Sequence, residues 1–339
     1  MIARLPLLTA LLIAAAAGTA GAQTTLALRG DSVSLRALGR DSAALSQQGA
    51  NIRLQWQELS TVSAIEAVAA GTADVALSSR GQHALNPKEA GLVFEPLAWD
   101  GIVAIVHPGN PVSGVSLRDL RDIYAGRIKT WDQIGGRAQP IHLNVVAGPL
   151  DGIEYGLRRA LFGRGQAAVA AERWYLNTEQ LEASIAIDPN GLAVSALSSA
   201  AANPKVKRLQ LEGVSASPAT VLSLEYLLVT PLYLVHRAGA ESDPAIAGFR
   251  ALLQTPAFVA RAMTAHRLLP VGAAAPLNEA FAMREQKLLA LLDSAPPAAA
   301  SAVTAIASTA AKDLPAAEAK IPASAGQPAV VEVDASAGQ

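Results

Sequence analysis

The 339-residue chain contains no cysteine and no cluster of basic residues. The absence of cysteine excludes disulfide bonds and a lipid-modified N-terminal cysteine. Its 27 Lys and Arg residues nearly balance 28 Asp and Glu residues and are scattered along the sequence, whereas nucleic acid is bound by a concentrated basic surface. We therefore expect no nucleic-acid partner.

Signatures of catalysis and of metal binding are also missing. The sequence has no His-Glu-x-x-His, Gly-x-Ser-x-Gly or P-loop motif. Its five histidines are far apart, and none has the spacing of a pair of metal ligands. We therefore expect neither an enzyme nor a protein with a resident metal or cofactor.

The first residues read MIARLPLLTALLIAAAAGTAGAQ and combine an early arginine, an apolar run and the small residues Ala20, Gly21 and Ala22. This pattern is typical of a cleaved export signal. A transmembrane helix is the alternative, but the apolar run is short for a membrane span. We predict a signal peptide over residues 1–22 and a periplasmic or secreted mature protein without a later membrane span.

The composition changes near residue 293. Beyond it the sequence is dominated by Ala, Pro and Ser. Such a segment cannot bury enough apolar surface to fold alone, so we predict a disordered tail over residues 291–339. The preceding PLNEAFAMREQKLLALL has apolar residues at helical spacing and predicts a last helix.

Between these ends the sequence alternates strand-like and helix-like segments. TLALRG, NIRLQWQEL and ADVALSS predict strands, and SLRALGRDSAALSQQ and SAIEAVAAG between them predict helices. This order is typical of parallel βαβ units and predicts an α/β fold. Further strands are predicted for GIVAIVHP, IHLNVVAG, GLAVSAL, VKRLQLEGV and YLLVTPLYLVH, followed by two helices divided by Pro256.

Four polar turns follow predicted strands, at residues 30–34, 60–63, 78–80 and 147–152. In open α/β sheets, ligands bind where strands end and helices begin. Each turn by itself is explained as an ordinary helix cap. Together they predict a cleft lined by hydroxyl, N–H and guanidinium groups, which indicates an exported binding protein without naming its ligand.

Three segments resemble the phosphate-binding periplasmic proteins of ABC transporters. GTADVALSSR is similar to that family's Gly-x-x-Asp segment ending in Ser-Ser-Arg. AWDGIVAIVHPGNPV and SLRDLRDIYAGRIKTWDQIGG are similar to its strand ending in Asn-Pro and to the helix that closes with a Tyr-x-Gly-x-Ile-x-x-Trp turn. The resemblance is collinear from Leu26 to Val271.

The resemblance implies a two-lobed periplasmic-binding-protein (Venus-flytrap) fold of type II, with mixed sheets flanked by helices. Lobe 1 would comprise residues 23–99 with 225–290, and lobe 2 residues 100–224. It also implies a monomeric receptor that encloses phosphate or a related small oxyanion between its lobes and delivers it to an inner-membrane ABC permease. A degenerate member with a blunted anion site, acting as a sensory, scaffold or secreted interaction protein, is the alternative.

The family's ligand positions can be carried over one at a time. In the first turn a hydroxyl is kept at Ser32, with an added carboxylate at Asp31 beside it. Thr61 falls on the family's ligand serine, although the glycines around it are absent. The third element, Ser-Ser-Arg, is intact. The predicted ligand-binding residues are Ser32, Thr61, Ser79, Arg80, Asp151 and Gly152.

The fourth turn departs most from the family pattern Arg-x-x-x-Ser-Gly-Thr. Ala147, Asp151 and Ile153 stand where the family has the clamp arginine, the serine and the threonine. Two unit charges 4 Å apart repel by about 4 kcal/mol at an effective dielectric constant of 20, so Asp31 and Asp151 disfavour phosphate. One hypothesis is that Asp151 caps its own helix and accepts its free N–H groups. Binding of a cationic or zwitterionic ligand is another.

Overall fold

The computed structural model describes residues 24–39, 52–148 and 150–293. The predicted export signal and the predicted tail beyond Asp293 lie outside the described residues. So does the part of the predicted helix SLRALGRDSAALSQQ that follows Gly39. None of the described helices is long and apolar enough to cross a membrane.

Twelve strands occur in the described residues. They are β1 Thr24–Gly30, β2 Ile52–Glu58, β3 Val75–Ser78, β4 Leu92–Val106, β5 Gly114–Val115, β6 His142–Val146, β7 Arg173–Tyr175, β8 Gly191–Ala196, β9 Lys207–Arg208, β10 Gln210–Leu211, β11 Val229–Arg237 and β12 Leu269–Pro270. Ten of them form one sheet with the order β2-β1-β3-β11-β4-β8-β6-β7, in which β9 and β12 also pair with β4. Strands β5 and β10 pair separately.

The sheet is mixed. Strand β1 is parallel to both β2 and β3, as the predicted βαβ order requires. Strand β11 is antiparallel to β3 and β4, β4 is antiparallel to β8, and β6 is parallel to β7 and β8. Parallel strands end at the same edge of a sheet, so the turns after β1, β2 and β3 lie side by side.

Helices cover the sheet and connect its strands. They are α1 Ser32–Ser34, α2 Thr61–Ala69, α3 Leu117–Tyr124, α4 Gly152–Phe162, α5 Thr178–Ile185, α6 Leu197–Ala200, α7 Pro218–Leu222, α8 Pro244–Leu253, α9 Pro256–Ala265 and α10 Ala275–Asp293. A π-helical segment, Leu35–Gly39, follows α1, and 3₁₀ turns cover Pro87–Glu89, Trp131–Ile134 and Val271–Ala273.

Local capping explains where several helices begin. The Ser60 hydroxyl accepts a hydrogen bond from the Ser63 N–H at the start of α2, and Ser116 does the same for Asp119 in α3. Pro256 occupies the first turn of α9, where its missing N–H costs nothing, and so separates α9 from α8. These boundaries agree with the sequence prediction.

Two predicted strands differ from the structure. Strand β4 begins at Leu92, well before GIVAIVHP. The strand continues through Pro96 because this proline lies opposite Tyr233, where the β4–β11 register shifts and the ladder is irregular. VKRLQLEGV divides into β9 and β10, because the first part pairs with β4 and the second with β5. A change of partner strand cannot be read from local alternation.

The apolar core is divided along the sheet. One cluster joins β1 and β3 to α8, through Leu28, Leu77 and Phe249. A second joins β4 to the elements after it and includes Ile102 and Trp131. The second cluster also contains residues of α10, which the prediction assigns to lobe 1. The division into lobes at residues 23–99 with 225–290 and 100–224 stays a prediction.

Candidate ligand-binding cleft

Five of the six predicted ligand residues line one small pocket, which we call the cleft. It lies where the turns after β1, β2, β3 and β6 meet, and its lining includes Ser32, Thr61, Ser79, Asp151 and Gly152, together with Asp31. The free volume is about 30 Å³. A water molecule needs about 10–15 Å³, so the free space in the cleft is on the scale of a few water molecules.

The Asp31 carboxylate fills the centre of the cleft. One oxygen accepts a hydrogen bond from the Ser34 N–H (2.8 Å), which caps α1. The Ser34 hydroxyl has a single hydrogen, and it lies closer to the Leu77 carbonyl (2.8 Å) than to Asp31 (2.9 Å). The other oxygen accepts from the Thr61 hydroxyl at 3.0 Å and from the N–H and hydroxyl of Ser79, both at 2.8 Å. Asp31, with only 6% of its surface exposed, thus accepts four hydrogen bonds from protein donors.

Two predicted ligand hydroxyls therefore already have an acceptor. Thr61 and Ser79 donate to Asp31, which sequence reasoning treated only as an added charge beside Ser32. The sequence pattern that could have indicated this acceptor role is an acidic side chain at the first of three adjacent strand ends, with hydroxyl side chains at the other two. The Ser32 side chain is buried in the lining of the same cleft.

Asp151 corrects the capping hypothesis. It occupies the N-cap position of α4, but its side chain makes no capping hydrogen bond there within the described residues. Instead, its carboxylate accepts from the Thr61 N–H at 2.6 Å, at the start of α2. Burial, and secondarily the charge of Asp31, raise the pKa of Asp151 above its usual value, against the lowering effect of the Thr61 hydrogen bonds.

Gly152 allows α4 to approach the hydroxyls. Its φ is +45°, and a Cβ atom there would lie 2.7 Å from Ser79 Oγ and 3.4 Å from Thr61 Oγ1. Any side chain would collide with the cleft wall in a backbone conformation that already favours glycine. The glycine retained from the family motif therefore has a steric role in this chain.

Arg80 lies behind Ser79 and does not line the cleft. Its guanidinium makes a two-pronged ion pair with Glu89, at 2.7 and 3.1 Å, and its Nε donates to the Leu150 carbonyl at 2.8 Å. Burial acts to raise the pKa of Glu89, but hydrogen bonds from Arg80 and other donors hold it below the usual value. The positive charge predicted to bind a ligand is thus neutralised by Glu89, a residue that the motif comparison did not single out.

Side chains from the two sides of the cleft also contact each other directly. Arg36, which follows β1, donates to Glu179 and to the Ser199 hydroxyl, both at 3.0 Å. At another point, Gln166 and His83 lie 3.1 Å apart. Together with the Thr61–Asp151 hydrogen bond, these contacts join the two sides of the cleft.

Within residues 24–39, 52–148 and 150–293, no three His, Cys, Asp or Glu side chains are grouped so that they could hold a metal ion. Glu154, which lines the cleft, is paired with Arg158 at 2.8 Å. Burial raises the pKa of Glu154 to about 6, although the Arg158 charge opposes this shift.

Comparison with known proteins agrees with the predicted resemblance. Residues 15–254 match the model of the PBP superfamily domain. Over 71 residues the chain is 39% identical to the phosphate-binding protein PstS 2 of Streptococcus pneumoniae. That alignment covers 21% of this chain and 23% of the relative, so it spans about a quarter of the curated protein's length.

Solved structures of receptors share the fold. One is described as a phosphate ABC transporter substrate-binding protein with bound phosphate, from Clostridium perfringens (TM-score 0.67, 19% identity, 73% of this chain and 100% of that one). Another is an ABC-type phosphate transport receptor from Vibrio cholerae (TM-score 0.57, 21% identity, 73% and 100%). By the family model and by its type II periplasmic-binding-protein fold, the chain belongs to the PBP superfamily.

Proposed function

We propose that the protein is an exported, non-catalytic binding protein of the phosphate-receptor type whose oxyanion position is filled by its own Asp31 carboxylate. The observation that carries this proposal is the set of four hydrogen bonds that the Asp31 carboxylate accepts from Ser34, Thr61 and Ser79. Three of them come from Thr61 and Ser79, the groups that the family resemblance assigns to the ligand.

The charge balance of the cleft supports the proposal. Its lining contains the carboxylates of Asp31, Asp151 and Glu154 and, among the described residues, no cation. Glu154 is paired with Arg158, which lies outside the lining. Arg80 is bound to Glu89 nearby. A phosphate dianion would enter a buried site against two carboxylates, where charges that lack a partner are strongly destabilised.

A receptor closed on its own carboxylate has a different task from a transport receptor. Because Asp31 fills the oxyanion position, we propose that the protein acts as a sensory, scaffold or interaction protein outside the cytoplasm.

Phosphate capture for an ABC permease is the second candidate. The relatives from Streptococcus pneumoniae, Clostridium perfringens and Vibrio cholerae favour it, as do the retained hydroxyls and Gly152. It requires the cleft to enlarge and Asp31 to accept a hydrogen bond from a protonated phosphate oxygen.

Calorimetric titration of the protein with phosphate separates the two candidates. We expect no binding at millimolar phosphate for the parent or for the Ala147→Arg, Asp151→Ser pair, because both keep Asp31. Adding Asp31→Ser to that pair should create measurable affinity, whereas adding Asp132→Ser, at an exposed aspartate, should not. Tight phosphate binding by the parent would overturn the proposal in favour of transport.

A further inference from the structure

A second cavity of about 120 Å³ lies on the other side of Arg80. It is enclosed by α4, β11 and the last helix, α10, and we call it the arginine cavity. Its lining includes Tyr155 and Arg159 from α4, Tyr233 from β11, and Phe281, Arg284 and Glu285 from α10. The cavity shares no wall residue with the cleft.

Arg284 is the unusual group in this cavity. Only 8% of the residue is exposed, and its Nε donates to the Leu227 carbonyl at 2.7 Å. Its two terminal amino groups have no hydrogen-bond acceptor among the described residues, and neither is fully enclosed by protein atoms. Because the residue lines the cavity, we infer that these groups face it.

The charge of Arg284 is not cancelled by an ion pair. The guanidinium lies 4.7 Å from the centroid of the Phe281 ring, a cation–π contact. Burial lowers its pKa to about 10, which leaves it cationic at neutral pH. No carboxylate of the described chain lies within ion-pair distance of Arg284, and a buried charge without a partner is costly.

Arg159 adds a second positive charge. It is exposed on α4 and has no ion pair within the described residues. The charge of Glu285 acts to raise the pKa of Arg284, and the charge of Arg159 has a smaller effect in the opposite direction. Glu285 is the carboxylate in the cavity lining, while Arg80 at the far end is neutralised by Glu89. The lining therefore carries one net positive charge.

The remaining walls are apolar or aromatic. They include Val229, Pro231, Phe281 and Leu288, beside the rings of Tyr155 and Tyr233. A cavity of about 150 Å³ holds a benzene molecule, so this one encloses a slightly smaller apolar body. A longer chain would extend past the exposed rim residues Arg159 and Leu289. Guanidinium groups bind carboxylates through strong charge-assisted hydrogen bonds.

We propose that the arginine cavity binds a small monoanionic carboxylate with an apolar body of about six carbons. The carboxylate accepts hydrogen bonds from the terminal amino groups of Arg284, and the body lies against Phe281 and the tyrosine rings. An inorganic oxyanion offers the same charge but leaves the apolar walls without a partner.

Isothermal titration of the full chain with hexanoate, hexanamide and phosphate tests this site. We expect hexanoate to bind at least about tenfold more tightly than either the neutral amide or phosphate. Arg284→Met should weaken hexanoate binding by about tenfold or more, Arg159→Met by less, and Arg137→Met, at an exposed arginine elsewhere, not at all.

Circular dichroism shows whether each variant is folded. If Arg284→Met does not fold, Arg159→Met still tests the site. Absence of hexanoate binding at millimolar concentration overturns the proposal. So does equal binding of hexanoate and hexanamide, or hexanoate affinity that neither arginine variant changes. Tighter binding of phosphate than of hexanoate overturns the carboxylate assignment.

Discussion

The cleft and the arginine cavity lie on opposite sides of Arg80 and differ in whether the protein supplies an acceptor for their donor groups. In the cleft, hydroxyl and N–H donors converge on one point, and Asp31 supplies the acceptor. In the arginine cavity, the terminal amino groups of Arg284 converge on open space, and the described chain supplies no acceptor. Donor groups alone therefore do not identify a ligand site, because the protein can satisfy its own donors.

Glu89 neutralises Arg80, which lies between the two regions. Glu89→Ala would leave Arg80 buried without its partner, and we expect a loss of about 3–5 kcal/mol in the free energy of unfolding, measured by urea denaturation. Glu66→Ala, which breaks the exposed pair with Lys88, is the matched control and should cost about 0–1 kcal/mol. Equal losses would show that Glu89 does not neutralise a buried charge.

Asp31→Ala should turn the cleft into a site that resembles the arginine cavity, with donors and no acceptor. The donors of Thr61 and Ser79 would be unsatisfied, and each such buried group costs about 1–3 kcal/mol. We expect a lower melting temperature that sulfate or phosphate partly restores by binding the freed donors. The parent protein should show no such restoration, and a variant as stable as the parent would contradict the acceptor role of Asp31.

Acidification should affect the two regions differently. The folded-state pKa of Asp151 is raised above 3.8, so its contribution to stability is present below that value and is lost as the pH rises through the folded-state pKa. Arg284, with a pKa of about 10, stays charged over this range. Urea denaturation of the parent and of Asp151→Asn should therefore give free energies whose difference changes with pH above 3.8. A pH-independent difference would contradict the raised pKa.

The smallest effect is expected at the rim of the cleft. Arg36→Ala removes the partly exposed ion pair with Glu179, and such pairs contribute about 0–1 kcal/mol. Small-angle scattering should show the same dimensions for this variant as for the parent, because Asp31 and Asp151 still hold the cleft shut. A marked expansion would show that Arg36, and not the buried carboxylates, keeps the cleft closed.

Much of the architecture could be predicted from local pattern. The alternation in β1 and the Ser116 cap of α3 follow from short stretches of sequence, and both are found where predicted. The predicted strand was shorter than β4, because the first half of β4 contains Pro96. A proline is tolerated there only because the pairing with β11 is irregular at that position. Five of the six candidate ligand residues line one pocket, and their role in binding a ligand stays a prediction.

The roles of those residues could not be predicted in the same way. Asp31 and Ser79 are 48 positions apart, and Thr61 and Asp151 are 90 apart. Sequence alone determined that hydroxyls, glycine and aspartates would stand at successive strand ends, because capping and alternation act over a few residues. Only the tertiary structure decided that Asp31 would accept the hydrogen bonds of Thr61 and Ser79 and that Glu89 would neutralise Arg80. Hydrogen bonds and ion pairs depend on ångström-scale distances that are set by the packing of the whole sheet.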